Sequence, residues 1–253
     1  MTAAAAGPPP LLIAGFGYCG ARVASQWEGT VWATARSVEG AERAEATGAR
    51  GVVASFGDGA PPPTLRLAPS GPPVGLITFG PPRAPGAAER DVVAWMAAHG
   101  VGRCVYLSST SVYGDRDGGW VHADTPTAPD TAMGERRVVA EDAFVDACAA
   151  RGVCGMVLRL PGIVGPGRTP RDRFERGDYV YPGDGARWSN RIHVDDIVSA
   201  VRLLLLGDAP AGTYLASDGA PFVAIDLVTF IAGTLGVPMP RSVPFEALAE
   251  QAK

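Results

Sequence analysis

Short, almost continuous apolar runs alternate along the chain with longer stretches whose apolar positions recur every three or four residues. The runs are residues 11–14 (LLIA), 30–35 (TVWATA), 51–54 (GVVA), 74–79 (VGLITF), 103–108 (RCVYLS), 155–159 (GMVLR) and 213–216 (TYLA). Their length predicts strands, and their unbroken apolarity predicts a sheet covered on both faces. Residues 38–47, 87–98, 131–150, 194–206 and 224–235 read as helices. Strand–helix alternation of this kind predicts the α/β class, a Rossmann-type doubly wound parallel sheet with helices on both faces. The proline-rich segment 60–73 is expected to be surface loop. Beyond about residue 160 the pattern turns irregular. A core is therefore expected over 11–160, with 161–253 a mixed segment that completes the sheet and forms a small C-terminal substrate lobe. Residues 1–10 (MTAAAAGPPP) have no basic start and are broken by prolines, so a disordered leader is expected there rather than a signal peptide.

The turn after the first run carries the most chemistry. Gly15-Phe16-Gly17-Tyr18-Cys19-Gly20 fits G-x-G-x-x-G between a strand and a helix. In that motif the first glycine allows the tight turn, the second lets a pyrophosphate approach bare backbone, and the third lets the helix lie close on the sheet. The helix N-terminus adds N–H groups and a positive dipole end. A dinucleotide is the ligand this pattern predicts. An acidic residue about 20 positions further on selects NAD(H), whereas an arginine suits a 2′-phosphate. Here the second strand ends in Arg36-Ser37 with no carboxylate at its tip. NADP(H) is expected in preference to NAD(H).

Composition narrows the classes further. A net charge of −4 with scattered basic residues argues against nucleic acid. No apolar run reaches the roughly 20 residues of a membrane helix. The four cysteines, Cys19, Cys104, Cys148 and Cys154, form no C-x-x-C pair, and His99, His122 and His193 have no zinc spacing, so no metal is expected. A cytoplasmic location follows as an expectation, with a small molecule as the substrate.

Four segments together resemble one family. The glycine turn is the first. Leu107-Ser108-Ser109-Thr110-Ser111-Val112-Tyr113-Gly114-Asp115, 158–167 (LRLPGIVGPG) and Arg191-Ile192-His193-Val194-Asp195-Asp196-Ile197 follow in order. They are similar to the extended short-chain dehydrogenase/reductases, the NAD-dependent epimerase/dehydratase family. S-S-T-S-V-Y-G-D and G-P-G-R resemble its atypical YeeZ-like branch. The resemblance implies a cofactor site of Gly15, Phe16, Gly17, Tyr18, Cys19, Gly20, Arg36, Ser37, Phe79, Gly80, Ser108, Arg137, Pro161, Gly162 and Ile163, and a possible homodimer. It also implies a hydroxyl role for Ser109. The family's Tyr-x-x-x-Lys, however, falls on Met133 and Arg137, while Gly134 and Glu141 match. Methionine transfers no proton, and arginine is a poor proton relay. Tyr113 is then the first candidate proton donor, so Ser109, Tyr113 and Arg137 form the expected catalytic set. Tyr179 and Tyr181 have no positional support. His193, Asp195 and Asp196 read as a helix start. The basic loop around Arg168, Arg171, Arg173 and Arg176 reads equally as an anion receptor or as a solvated loop. Two functions remain open: an oxidoreductase or epimerase-like enzyme, and a non-catalytic dinucleotide-binding redox sensor or regulatory protein.

Overall fold

The computed structural model describes residues 7–67 and 71–244. They fall into two units. One comprises Met1–Arg116, Trp120–Leu160 and Val194–Ala216; the other comprises Asp117–Gly119, Pro161–His193 and Ser217–Lys253.

The first unit begins with β1 (Leu11–Ala14), α1 (Tyr18–Ser25), β2 (Val31–Ala35), α2 (Val38–Glu45) and β3 (Arg50–Val53). It continues through β4 (Val74–Ile77), α3 (Ala87–Ala98) and β5 (Arg103–Ser109) to a 3-10 turn, Thr110–Tyr113, then α4 (Ala132–Ala149) and β6 (Cys154–Leu160). The strands form one seven-stranded sheet in which the last, β11, comes from late in the chain (Gly212–Leu215). The order is β11-β6-β5-β4-β1-β2-β3, and every neighbour is parallel. The order reverses at β1/β4, which is where open α/β sheets bind ligands beyond their strand ends.

Alternation across the strands divides the core. Leu12, Ala14, Cys104 and Tyr106 pack with Val92, Met96, Ala140 and Phe144 of α3 and α4. Their neighbours Leu11, Ile13, Val105 and Leu107, equally buried, point to the opposite face, where Gly20 of α1 meets Ile13. On that face α1 is tied to α6 (Val194–Leu206). Arg22 donates from Nε and Nη2 to the two carboxylate oxygens of Asp195, at 2.6 and 3.0 Å, and Gln26 Nε2 donates to Oδ1 at 2.9 Å. Asp195 thus sits in the first turn of its helix and also clamps the neighbouring one.

Of the expected leader, residues 1–6 lie outside the described residues. Pro9 and Pro10 already belong to the fold, since the Pro9 carbonyl accepts from Trp27 Nε1 and the Pro10 carbonyl from Val74 N, both at 2.9 Å. Residues 60–67 are irregular, yet Leu65 is buried and its N–H donates to His99 Nε2.

The second unit is a set of small pairings: β7 (Gly162–Val164) with β10 (Arg191–His193), β8 (Val180–Pro182) with β13 (Arg241–Val243), and β9 (Trp188–Ser189) antiparallel to β12 (Phe222–Val223). Helices α5 (Arg171–Glu175) and α7 (Ala224–Leu235) accompany them, and Phe174, Val228 and Ala232 form its core. No helix among the described residues is long and apolar enough to cross a membrane.

Candidate functional site

The ends of β1 to β4 open into a cleft of about 850 Å³ within the first unit. Gly15, Phe16 and Gly17 form one wall. Gly15 has φ +88°, a region that L side chains rarely adopt. Its N–H donates to Thr34 Oγ1 at 3.2 Å, and its carbonyl accepts from Thr78 Oγ1 at 2.6 Å. Thr34 stands one residue before the end of β2 and Thr78 directly follows β4, and both brace the turn. A Cβ on Gly20 would stand 2.9 Å from the Gly15 carbonyl oxygen, so α1 packs directly on the turn. A Cβ on Gly17 would meet no protein atom within 4 Å. Its space is cleft. Gly17 is also the N-cap of α1, with no side-chain cap and no acidic residue in the first turn. That end is therefore built for an anion. Tyr18, Cys19 and Gly20 do not line the cleft, and Cys19 and Gly20 are buried.

The lining also includes Arg36, Ser37, Gly40 and Arg43, with Ser55 and Phe56 beyond β3. The cleft lining holds two guanidiniums and no carboxylate. Ser37 caps α2, its Oγ accepting from Gly40 N at 3.2 Å while its hydroxyl donates to the Glu39 carboxylate. Arg43 escaped the sequence reading. Its signal was the spacing: Gly40 and Arg43 lie one helical turn apart, on the face that follows Arg36.

Phe79 and Gly80 line the far end of the cleft. Arg137 reaches Gly80 from α4, its Nη2 lying 3.5 Å from where a Gly80 Cβ would stand. Its Nη1 donates to Tyr106 Oη at 3.2 Å and to the Leu107 carbonyl at 3.3 Å. Arg137 Nε is buried without a hydrogen-bond partner, and so is Glu89 Oε1. The nitrogen nearest Gly80, Nη2, makes neither of the two hydrogen bonds above, so the donor capacity beside Gly80 lies there and not on the sealed Nε. The chain holds a single lysine, Lys253, so arginine in the lysine position follows its general usage.

The catalytic expectations fare unequally. Ser109 ends β5, and its Oγ accepts from Ser111 N at 3.2 Å, leaving the hydroxyl proton available. Met133 is half exposed at the start of α4. Tyr113 needs a correction. It is 1% exposed, donates to the His122 carbonyl at 2.9 Å and accepts from Arg159 Nη1 at 3.0 Å. Its proton is committed and its oxygen sealed, so it is a framework group and not a proton donor. Arg159 stacks on the Tyr113 ring and forms a buried ion pair with Glu141 at 2.7 Å. Ser108 donates to the same carboxylate, so its side chain is not free for a cofactor. This network pins the loop after β5, and the Glu141–Arg159 pairing was not legible in the sequence.

Pro161, Gly162 and Ile163 belong to the second unit, as do Tyr179 and Tyr181. Tyr179 stacks on Phe174 with ring centroids 4.2 Å apart, and Tyr181 packs on the same core. The basic loop neutralises much of itself: Arg171 pairs with Glu175 at 2.8 Å, and Arg173 and Arg176 with Asp178 at 3.5 and 3.1 Å. No His, Cys, Asp and Glu group among the described residues has the makings of a metal site. All four cysteines are free thiols.

Residues 85–214 match the model of the NAD dependent epimerase/dehydratase family. Protein YeeZ of Escherichia coli (strain K12) is 37% identical over 134 residues, which cover 53% of this chain and 46% of that protein. The match thus spans about half the length of that relative. A solved structure from Silicibacter pomeroyi DSS, described as a functionally unknown conserved protein, has 30% identity and a TM-score of 0.78 over 94% of this chain and 83% of that one. MoeE5, solved with UDP-glucose and NAD, shares the fold at 19% identity, with a TM-score of 0.70 over 93% of this chain and 85% of its own.

Proposed function

The chain belongs to the NAD-dependent epimerase/dehydratase family, and from that premise we propose that it is an NADP(H)-using oxidoreductase or epimerase-like enzyme acting on a small substrate. One observation carries the coenzyme reading: the cleft that opens on bare Gly17 is also lined by Arg36 and Arg43 and by no carboxylate. A 2′-phosphate between two guanidiniums gains charge-assisted hydrogen bonds, whereas a free ribose hydroxyl finds no acceptor carboxylate there. Gly15, Phe16 and Gly17 cradle the diphosphate, and Phe79 and Gly80 line the nicotinamide end. When bound, the coenzyme supplies a hydride donor or acceptor.

The chain's own residues do the rest. Ser109 donates its hydroxyl proton in a hydrogen bond to the reacting oxygen. Arg137 adds positive charge and orients the ribose. With Tyr113 sealed, the transferred proton comes from solvent water. Titration with NADPH and NADH tests the coenzyme reading: NADPH is expected to bind more tightly, and Arg36→Asp to cancel or reverse the difference. Equal affinities in the unaltered protein overturn it.

The sensor reading draws on two specific observations, the half-exposed Met133 at the tyrosine position and the sealed Tyr113. The two readings separate on Ser109→Ala. An enzyme loses turnover while its affinity for NADPH is unchanged; a sensor has no turnover to lose.

A further inference from the structure

The basic loop of the second unit pairs Arg171, Arg173 and Arg176 internally, but the guanidinium of Arg191 is held in place and left without a counter-ion. Arg191, in β10, is half-buried. Its Nη1 donates to Ser189 Oγ at 3.0 Å and to the Asn190 carbonyl at 3.1 Å. One face of the guanidinium lies over the Phe222 ring, 5.3 Å from its centroid. The guanidinium also lies against the bare Cα of Gly162, its partner in the β7–β10 register, where any Cβ would collide with it. Four contacts therefore fix its orientation. Among the described residues no carboxylate lies within ion-pair distance, and neither Nε nor Nη2 has a hydrogen-bond acceptor. Neither nitrogen is sealed from solvent.

Holding a half-buried cation in one orientation costs side-chain entropy and some hydration, and in Arg191 no protein anion offsets that cost. The Nε–Nη2 edge is the fork that matches two oxygens of a carboxylate or phosphate in one plane. We infer that Arg191 is an oxyanion-binding residue of the second unit, and that its open edge takes a carboxylate or phosphate group of the substrate. The inference rests on the reading of this unit as the substrate lobe and names the chemistry of what it receives. It moves the anion receptor away from the loop at 168–176, where Arg171, Arg173 and Arg176 are already paired with Glu175 and Asp178.

Arginine side-chain nuclear magnetic resonance reads the edge directly. The Nε–H signal of Arg191 is identified by its absence from Arg191→Gln. The protein is titrated separately with inorganic phosphate and with malonate. The Arg191 signal is expected to move saturably with at least one of them while the other arginine Nε–H signals of the second unit stay still. Saturation by malonate alone assigns a carboxylate, and by phosphate alone a phosphate. Arg191→Lys keeps the charge and loses the fork, so the saturable shift that either anion produces in the neighbouring Ser189 and Phe222 amide signals is expected to disappear in it. If the Arg191 signal stays flat with both anions, the inference falls. If instead the unaltered protein fails to bind NADPH, the reading beneath it falls, and the two failures are told apart by measuring both on one sample.

Discussion

Gly17 and Gly20 stand one helical turn apart and answer to different neighbours. A side chain at position 20 meets the Gly15 carbonyl, whereas one at position 17 meets only cleft. Gly20→Val is expected to lower stability by about 1–3 kcal/mol through overpacking, measured by denaturant unfolding. Gly17 has φ −100° and ψ −163°, which valine adopts without strain. Gly17→Val should therefore leave the coenzyme-free protein within about 0.5 kcal/mol of the original and abolish NADPH binding. A Gly17→Val protein that binds NADPH normally would remove the diphosphate cradle from the reading. Glu141 poses a different problem. Its removal strands the buried guanidinium of Arg159, and Glu141→Ala is expected to cost about 3–5 kcal/mol. An equilibrium unfolding curve within 1 kcal/mol of the original, roughly the scatter of ordinary mutations, would contradict the network.

At the scale of elements, α4 links the fold to the site. Thr131 caps it, with Oγ1 accepting from Gly134 N at 3.1 Å, and Thr131→Ala is expected to cost about 1 kcal/mol. The seam between α4 and β5 contains Tyr106, whose phenol is pushed up to about 12 by burial. In the unfolded chain a tyrosine ionises near 10. Between those values the unfolded state releases a proton that the folded state retains, so stability complete below about pH 10 falls as the pH rises. Tyr106→Phe is expected to flatten that alkaline loss, and a slope unchanged in the variant would place its source elsewhere. The short elements of the second unit show the limit of pattern reading. Strands of two or three residues such as β7, β9 and β12 carry no period of their own, and only their partners make them strands.

For the whole molecule, coenzyme binding and stability are linked. A ligand that binds only the folded form at 100 times its Kd adds about 2.7 kcal/mol. In a chain of this length that raises Tm by roughly 5–10 °C. NADPH is expected to give the larger rise at equal concentration, and Arg36→Asp to remove the advantage. Arginine carries nearly all the positive charge of the chain, and structure divides it into distinct roles. Arg22 joins two helices, Arg159 is buried with a carboxylate, Arg36 and Arg43 line a cleft, and Arg191 is oriented without an anion.

Hydrophobic pattern determined the parallel α/β sheet and all seven of its strands to within one or two residues, and glycine spacing determined the turn after β1, because each depends on local sequence and on backbone conformations only some residues tolerate. What any polar side chain is free to do was decided by tertiary structure. Tyr113 and Ser109 stand four residues apart in one motif, yet folding commits the hydroxyl of one to His122 and Arg159 and leaves the proton of the other available. The partners that claim a proton or a charge come from 9 to 46 residues away, and no local pattern records them.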